Sequence, residues 1–234
     1  MKSLVLKWIR RCSTAGFLDA LYSLRGALKV AWRHRAGVRA AIRFRGCTGL
    51  QLNLACGDNL KDGWVNVDLY NPNPVDLRLD LTEPLPFADG SARTIYCEHF
   101  FEHLEFPKHA RGFLQEAVRV LEPGGVLSIG VPDTEWPLRC YAIGDDSYFR
   151  FGRANCGHPE WCNTPLHQIN FHFRQFNEHR YAYDEVTLAQ VLREEGFLEP
   201  KRREFDPALD SESRRIGTLY MDAVRPANNP GAVA

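Results

Sequence analysis

Residues 126–131 read Val-Leu-Ser-Ile-Gly-Val, an apolar stretch of strand length in which polar and apolar positions do not alternate. A strand of that composition has neither face in water, so the chain must cover both sides of a sheet. The residues just before it supply one cover. Phe113, Leu114, Ala117, Val118 and Leu121 recur at helical spacing, and Pro123-Gly124-Gly125 is expected to stop that helix. Further upstream, Leu50–Leu54 alternates as a strand, and Thr94–Cys97 is another. Trp64–Asp68 and Leu77–Asp80 read as short strands that each end in an acid. Downstream, Asp184–Glu195 reads as a helix stopped by Gly196, with Phe197-Leu198 and Ile216–Val224 as the last two strands. Strands alternating with helices imply an α/β fold on a mostly parallel sheet.

With 234 residues, 44% hydrophobic and 25% charged, the chain has the balance of a folded domain and not of a disordered segment. Its mean hydropathy is −0.34, and no apolar run approaches the ~18 residues of a membrane span. Seven cysteines without a CxxC pair argue against a disulfide framework. They fit a reducing, cytoplasmic setting, and no secretory signal is read at the start.

A net charge of zero conceals two opposed regions. Residues 1–45 hold 11 Lys and Arg against one acid, Asp19, so the remainder is acidic to the same extent. In the basic segment Leu4, Trp8, Phe17, Leu18, Leu21, Tyr22 and Leu28 recur at helical spacing, with Gly16, Gly26 and Gly37 as interruptions. It is expected to be a basic amphipathic extension of one or two helices. It either packs on its own domain or docks peripherally on an anionic membrane surface or a protein partner. No nucleic-acid module accompanies the charge, so nucleic acid is not expected as a partner.

Between residues 50 and 133 five segments follow in one order: LNLACG, NVD, LDL-TEPLPF, a strand running into CEHFFEHL, and LQEAVRVLEPGGVLSIGVP. Together they resemble the class I, Rossmann-like S-adenosylmethionine-dependent methyltransferases, closest to the small single-domain type-11 group that includes enzymes associated with saccharide biosynthesis. Leu85-Pro-Phe-Ala-Asp89 and Arg119-Val-Leu-Glu-Pro-Gly-Gly125 match the group's LPF-x-D and RVL-x-PGG segments. The resemblance is close over 48–133 and looser over 179–224. It implies a methyltransferase domain at 46–226 with the last strand antiparallel, an aromatic-rich lid at 134–180, and a tail at 227–234. It further implies S-adenosyl-L-methionine as cofactor and methyl transfer to an O or N atom of a small molecule or saccharide-type intermediate. Two other readings stay open: a cofactor-binding enzyme of non-methylating chemistry, and a degenerate scaffold with this fold.

By similarity, Asn53, Ala55, Cys56 and Gly57 would lie against the cofactor's methionine part. Asp68 and Leu69 would meet the ribose, and Asp80 and Leu81 would flank the adenine. Cys97, Glu98 and His99 would face the reacting methyl. Only one glycine stands in the loop after the first strand, and about ten residues join that strand to the next. That is too short for an ordinary helical crossover. Because the sulfonium is already electrophilic, the chain must add positioning and, for a hydroxyl acceptor, a proton acceptor. His99 and His179 are the candidates, while His167, His172 and Tyr181 are candidate acceptor contacts. His103 is read as structural. Cys156, His158, Cys162, His167 and His172 invite a zinc reading, but their spacing is poor and no metal is expected.

Overall fold

The computed structural model describes residues 15–227. The start of the basic extension, with Leu4 and Trp8, and nearly all of the tail lie outside the described residues. The described strands are β1 (Leu50–Leu54), β2 (Val65–Val67), β3 (Ala92–Glu98), β4 (Leu121–Pro132), β5 (Leu198–Arg203) and β6 (Thr218–Val224). They form one sheet in the order β2-β1-β3-β4-β6-β5. The first four strands run parallel, and β6 lies antiparallel to both β4 and β5. After β2 the chain returns across β1 to place β3 on its other side, so the strand order reverses between β1 and β3. Ligands of open α/β sheets bind at such a point.

As its composition requires, β4 is buried on both faces: Leu127, Ile129 and Val131 on one, Ser128 on the other. Helix α2 (Lys108–Val120) covers one side with Phe113, Leu114 and Ala117. Leu188 and Leu192 of α6 (Glu185–Glu194) add to the same core. Asp184 caps α6 by accepting the Thr187 amide at 2.8 Å.

Four details differ from the sequence reading. Leu77–Asp80 is not a strand; it contributes one bridge, Val67 to Leu77. The helix α2 ends at Val120, and Pro123-Gly124-Gly125 lies inside β4, where the pairing register with β3 shifts. Residues 134–180 are largely helical: α3 (Glu135–Ile143), α4 (Ser147–Asn155) and α5 (Pro165–Arg174), the last capped by Thr164. These helices are short, and they share a small core of Cys140, Tyr148, Phe149 and Ile169, so no single one shows a long apolar stripe. Finally, the described part of the basic extension forms a helix, α1 (Ala15–Ala40), that is not interrupted at Gly16, Gly26 or Gly37.

Gly37 does not break α1 but lets it dock. A Cβ there would lie 2.1 Å from the Arg78 carbonyl oxygen. Around this contact Arg33 donates to the Leu69 carbonyl at 2.9 Å, and His34 Nδ1 accepts the Asp80 amide at 3.1 Å. Arg43 pairs with Asp76 at 2.8 Å. The N-terminal part of α1 is otherwise bare, with Phe17, Leu21, Tyr22, Leu24, Leu28 and Trp32 exposed.

Candidate functional site

The crossover from β1 to β2 contains no helix. Two asparagines hold it instead. Asn53 donates to Asn66 Oδ1 at 2.8 Å and to the Asn59 carbonyl at 2.7 Å. Asn66 accepts the Lys61 amide at 2.9 Å and donates to the Lys61 carbonyl at 3.0 Å. This short turn leaves the carboxyl ends of β1 and β2 uncovered, and a cavity of about 540 Å³ opens there. Ala55, Asp68, Leu69, Asp80 and Leu81 line it, together with Tyr70, Leu79, Thr82, Phe100, His103, Leu104, Glu178 and Arg180.

Asp68 organises one end. Its Oδ2 accepts the Gly57 amide at 3.0 Å, and its Oδ1 accepts the Tyr70 and Asn71 amides at 2.7 Å each. A carboxylate oxygen has two lone-pair sites, so Oδ1 is filled by its two amides and Oδ2 keeps one site for a hydroxyl. Asp80 Oδ1 accepts from the Thr82 amide and hydroxyl, which fixes the far end. Leu69, Leu79, Leu81 and Phe100 supply apolar walls between them. An apolar slot flanked by two carboxylates fits a nucleoside, whose base is flat and whose ribose offers two hydroxyl donors.

A second cavity of about 330 Å³ lies beside it over the ends of β3 and β4. His99, His172, His179, Trp136, Tyr148, Phe151, Phe171, Arg214 and Thr218 are among its lining residues. The helical 134–180 segment supplies most of the aromatic wall. His172 is held on both sides, with Nδ1 2.9 Å from the Tyr148 hydroxyl and Nε2 3.3 Å from Thr134 Oγ1. Burial pushes it down to about 3, so it is neutral.

Between the cavities stands Glu102. Its side chain is 2% exposed and neither carboxylate oxygen has a hydrogen-bond partner. His103 Nε2, His99 Nδ1 and His179 Nε2 lie 3.7, 3.8 and 4.0 Å from its Oε1. Burial pushes the Glu102 carboxyl up to about 8 and holds all three histidines below the usual imidazole range. Ala55 and His99, directly after β1 and β3, both sit in the left-handed region with φ of 51° and 52°. Such strain in non-glycine residues gathers at functional sites.

Several residues expected at the site stand elsewhere. Asn53 is buried in the crossover. Cys56 and Cys97 are buried thiols outside the cavity lining, Cys56 pushed up to about 12 by burial. Glu98 points away from both cavities, accepting from the Ser211 hydroxyl at 2.5 Å and Tyr220 at 3.0 Å. His167 is on the surface beside Asn163. Tyr181 stacks on Phe106 with ring centroids 4.5 Å apart. Asn53, Cys97 and Glu98 lie within β1 and β3, where Cys97 and Glu98 turn to opposite buried faces of the sheet, and His167 lies in the first turn of α5 on the exposed side. The residues suggested for zinc do not converge: His158 meets the Gln168 side chain, His172 meets Tyr148, and Cys162 faces the His167 carbonyl. Glu178 and Arg180 gave no sequence signal, because only the folding of the helical segment brings them to the first cavity.

The sequence model of a family described as a methyltransferase domain matches residues 47–129. No curated protein matches the chain. Among solved structures, the methyltransferase in complex with the Haloferax volcanii Trm112 methyltransferase activator is 16% identical, with a TM-score of 0.49 over 93% of this chain and 99% of that one. A SAM-dependent methyltransferase from Archaeoglobus fulgidus is 17% identical, with a TM-score of 0.46 over 90% and 100%. The phosphoethanolamine N-methyltransferase 2 of Haemonchus contortus, in complex with S-adenosyl-L-methionine, is 12% identical, with a TM-score of 0.44 over 82% and 52%.

Proposed function

We propose, from the match of residues 47–129 to a methyltransferase-domain family, that this chain binds S-adenosyl-L-methionine in the first cavity and passes its methyl group to an acceptor in the second. The observation that carries this reading is Asp68, at the carboxyl end of β2 beside the strand-order reversal, with its carboxylate on the Gly57 loop. Asp68 would receive a ribose hydroxyl on Oδ2, Leu69, Leu79 and Leu81 would enclose the base, and Ala55 and Gly57 would border the aminoacyl end.

The bound cofactor supplies an electrophilic methyl group on a sulfonium. The chain's part is alignment of the acceptor and removal of its proton. His99 lies in the wall of the second cavity and is neutral at physiological pH, which suits a proton acceptor. The aromatic wall of Trp136, Tyr148, Phe151 and Phe171 fits an acceptor with an apolar or ring face, such as a small biosynthetic intermediate or saccharide carrying a hydroxyl or amino nucleophile.

Helix α1 extends the proposal to location. Its exposed Phe17, Leu21, Leu28 and Trp32 stand among Arg25, Lys29, Arg35 and Arg39, a pattern that supports docking on an anionic lipid surface. No described helix is long and apolar enough to cross a membrane. Co-sedimentation with anionic but not zwitterionic vesicles is expected, and equal behaviour with both would favour a protein partner.

Isothermal titration with S-adenosylmethionine and S-adenosylhomocysteine tests the first step, and a gain of one methyl mass on candidate acceptors tests the second. Micromolar binding of both nucleosides is expected. Folded protein that binds neither overturns the reading.

A further inference from the structure

We propose that Glu102, His103 and His179 form a binding site for a divalent transition-metal ion, with zinc as its reference member, set in the wall between the two cavities. The argument rests on where the hydrogen atoms must be. His103 Nδ1 lies 3.1 Å from the Glu178 carbonyl and His179 Nδ1 lies 2.7 Å from the His172 carbonyl. A carbonyl only accepts, so each Nδ1 carries the ring hydrogen and each Nε2 is a bare lone pair. Both Nε2 atoms face the carboxylate of Glu102, which also only accepts when ionised, and the three ligand atoms lie within 4.8 Å of one another.

His99 follows the same logic. The Thr218 hydroxyl donates to the Arg214 carbonyl at 2.7 Å, so it must accept from His99 Nε2 at 2.9 Å. The Nδ1 of His99 is then bare as well, 3.8 Å from Glu102 Oε1. Three imidazole lone pairs and a buried, unpartnered carboxyl group therefore face each other, with no donor between them once Glu102 is ionised. A cation bound among them satisfies the two Nε2 lone pairs and the carboxylate together.

Ligand histidines characteristically donate their second nitrogen to a backbone carbonyl or carboxylate, as His103 and His179 do here. Zinc bonds of about 2.1 Å set tetrahedral ligand atoms roughly 3.4 Å apart. The observed 3.7 and 4.0 Å from Glu102 to the two histidines need only a few tenths of an ångström of closure. Two imidazoles and one carboxylate suit zinc and its first-row neighbours, whereas magnesium and calcium prefer all-oxygen shells. Three protein ligands leave a coordination position free. Since His103 lines the first cavity and His179 the second, that position opens at their boundary. His179 is thereby a ligand and not a proton carrier.

The test does not depend on methyl transfer. Full-length protein is stripped with chelator and titrated with Co²⁺, then with Zn²⁺. One Co²⁺ per chain is expected, with the visible absorption of a low-coordinate histidine site, displaced by Zn²⁺, and Zn²⁺ should raise the unfolding midpoint. His103→Asn, a partly exposed position expected to fold, and Glu102→Gln should each weaken binding at least 100-fold. His167→Asn should not change it. Absence of stoichiometric binding by folded wild-type protein, or binding that survives His103→Asn, overturns the site. Glu102→Gln that raises stability in a protein binding no metal would assign a shared proton to the cluster instead.

Discussion

The carboxylate of Asp68 and the amide of Gly57 are joined at 3.0 Å, so the residue at the end of β2 holds the loop at the end of β1. The shortened crossover has no helix to do this, and the two sides of the first cavity meet through that single contact and its neighbours.

Asp68→Ala should therefore weaken S-adenosylmethionine binding by roughly 1–3 kcal/mol, the range for lost hydrogen bonds to a charged group. Titration calorimetry measures this directly. An affinity equal to wild type would remove Asp68 from the ligand site.

Asn66 is the second prop of the crossover. Truncation to alanine leaves the side chain of Asn53 and the amide of Lys61 short of an acceptor. Asn66→Ala should cost about 2 kcal/mol in urea unfolding, with a further loss of cofactor affinity because Ala55 and Gly57 are no longer fixed.

Arg119 joins two stretches that the sequence already singled out. It donates to the carbonyls of Leu85 and Phe87 and to the carboxylates of Asp89 and Glu116. Arg119→Ala should destabilise by about 2 kcal/mol, since several acceptors lose a charged donor together.

The same contact sets an acid limb of stability. Hydrogen bonding from Arg119 holds the Glu116 carboxyl below its ordinary value of 4.5. The unfolded chain takes up this proton first on acidification, so the stabilisation is complete above about pH 4.5 and is lost as pH falls through the lowered folded value. Denaturation midpoints measured between pH 6 and 3 should fall less steeply in Glu116→Gln. An unchanged slope would mean that other carboxylates carry the acid limb.

Gly37→Ala should lower stability by about 1–3 kcal/mol, as overpacking does, and weaken nucleoside binding as well. The Leu69 carbonyl and the Asp80 amide at the cavity are tied to Arg33 and His34 beside it. A variant as stable as wild type would show that α1 is not seated there in solution.

Much of the sheet was legible because β4 is a continuous apolar run and α2 carries helical periodicity; Asp68 follows the end of β2, whereas Asp80 reaches the same cavity from a segment that is not a strand. Strand-adjacent residues such as Asn53, Cys97 and Glu98 were harder. Their sequence neighbourhood places them near the ligand edge, but each lies within its strand and is buried against the sheet's covering elements on one face or the other. The helices of 134–180 were hidden because their apolar residues serve a shared core and two cavity walls. Glu102 was hidden for a different reason. Its partners His99 and His103 flank it in sequence, but His179 comes from a distant segment, and nothing local distinguishes a buried carboxylate from an exposed one.

The seat of α1 at Gly37 also leaves the molecule a long arm. From Ala15 to Gly37 the helix rises roughly 33 Å at 1.5 Å per residue, and its apolar residues up to Trp32 touch little of the domain. The seat rests on the backbone of Arg78, and one turn before it Arg33 and His34 hold Leu69 and Asp80. Whatever grips the exposed length of α1 therefore holds a helix that is hydrogen-bonded to two residues of the first cavity's lining.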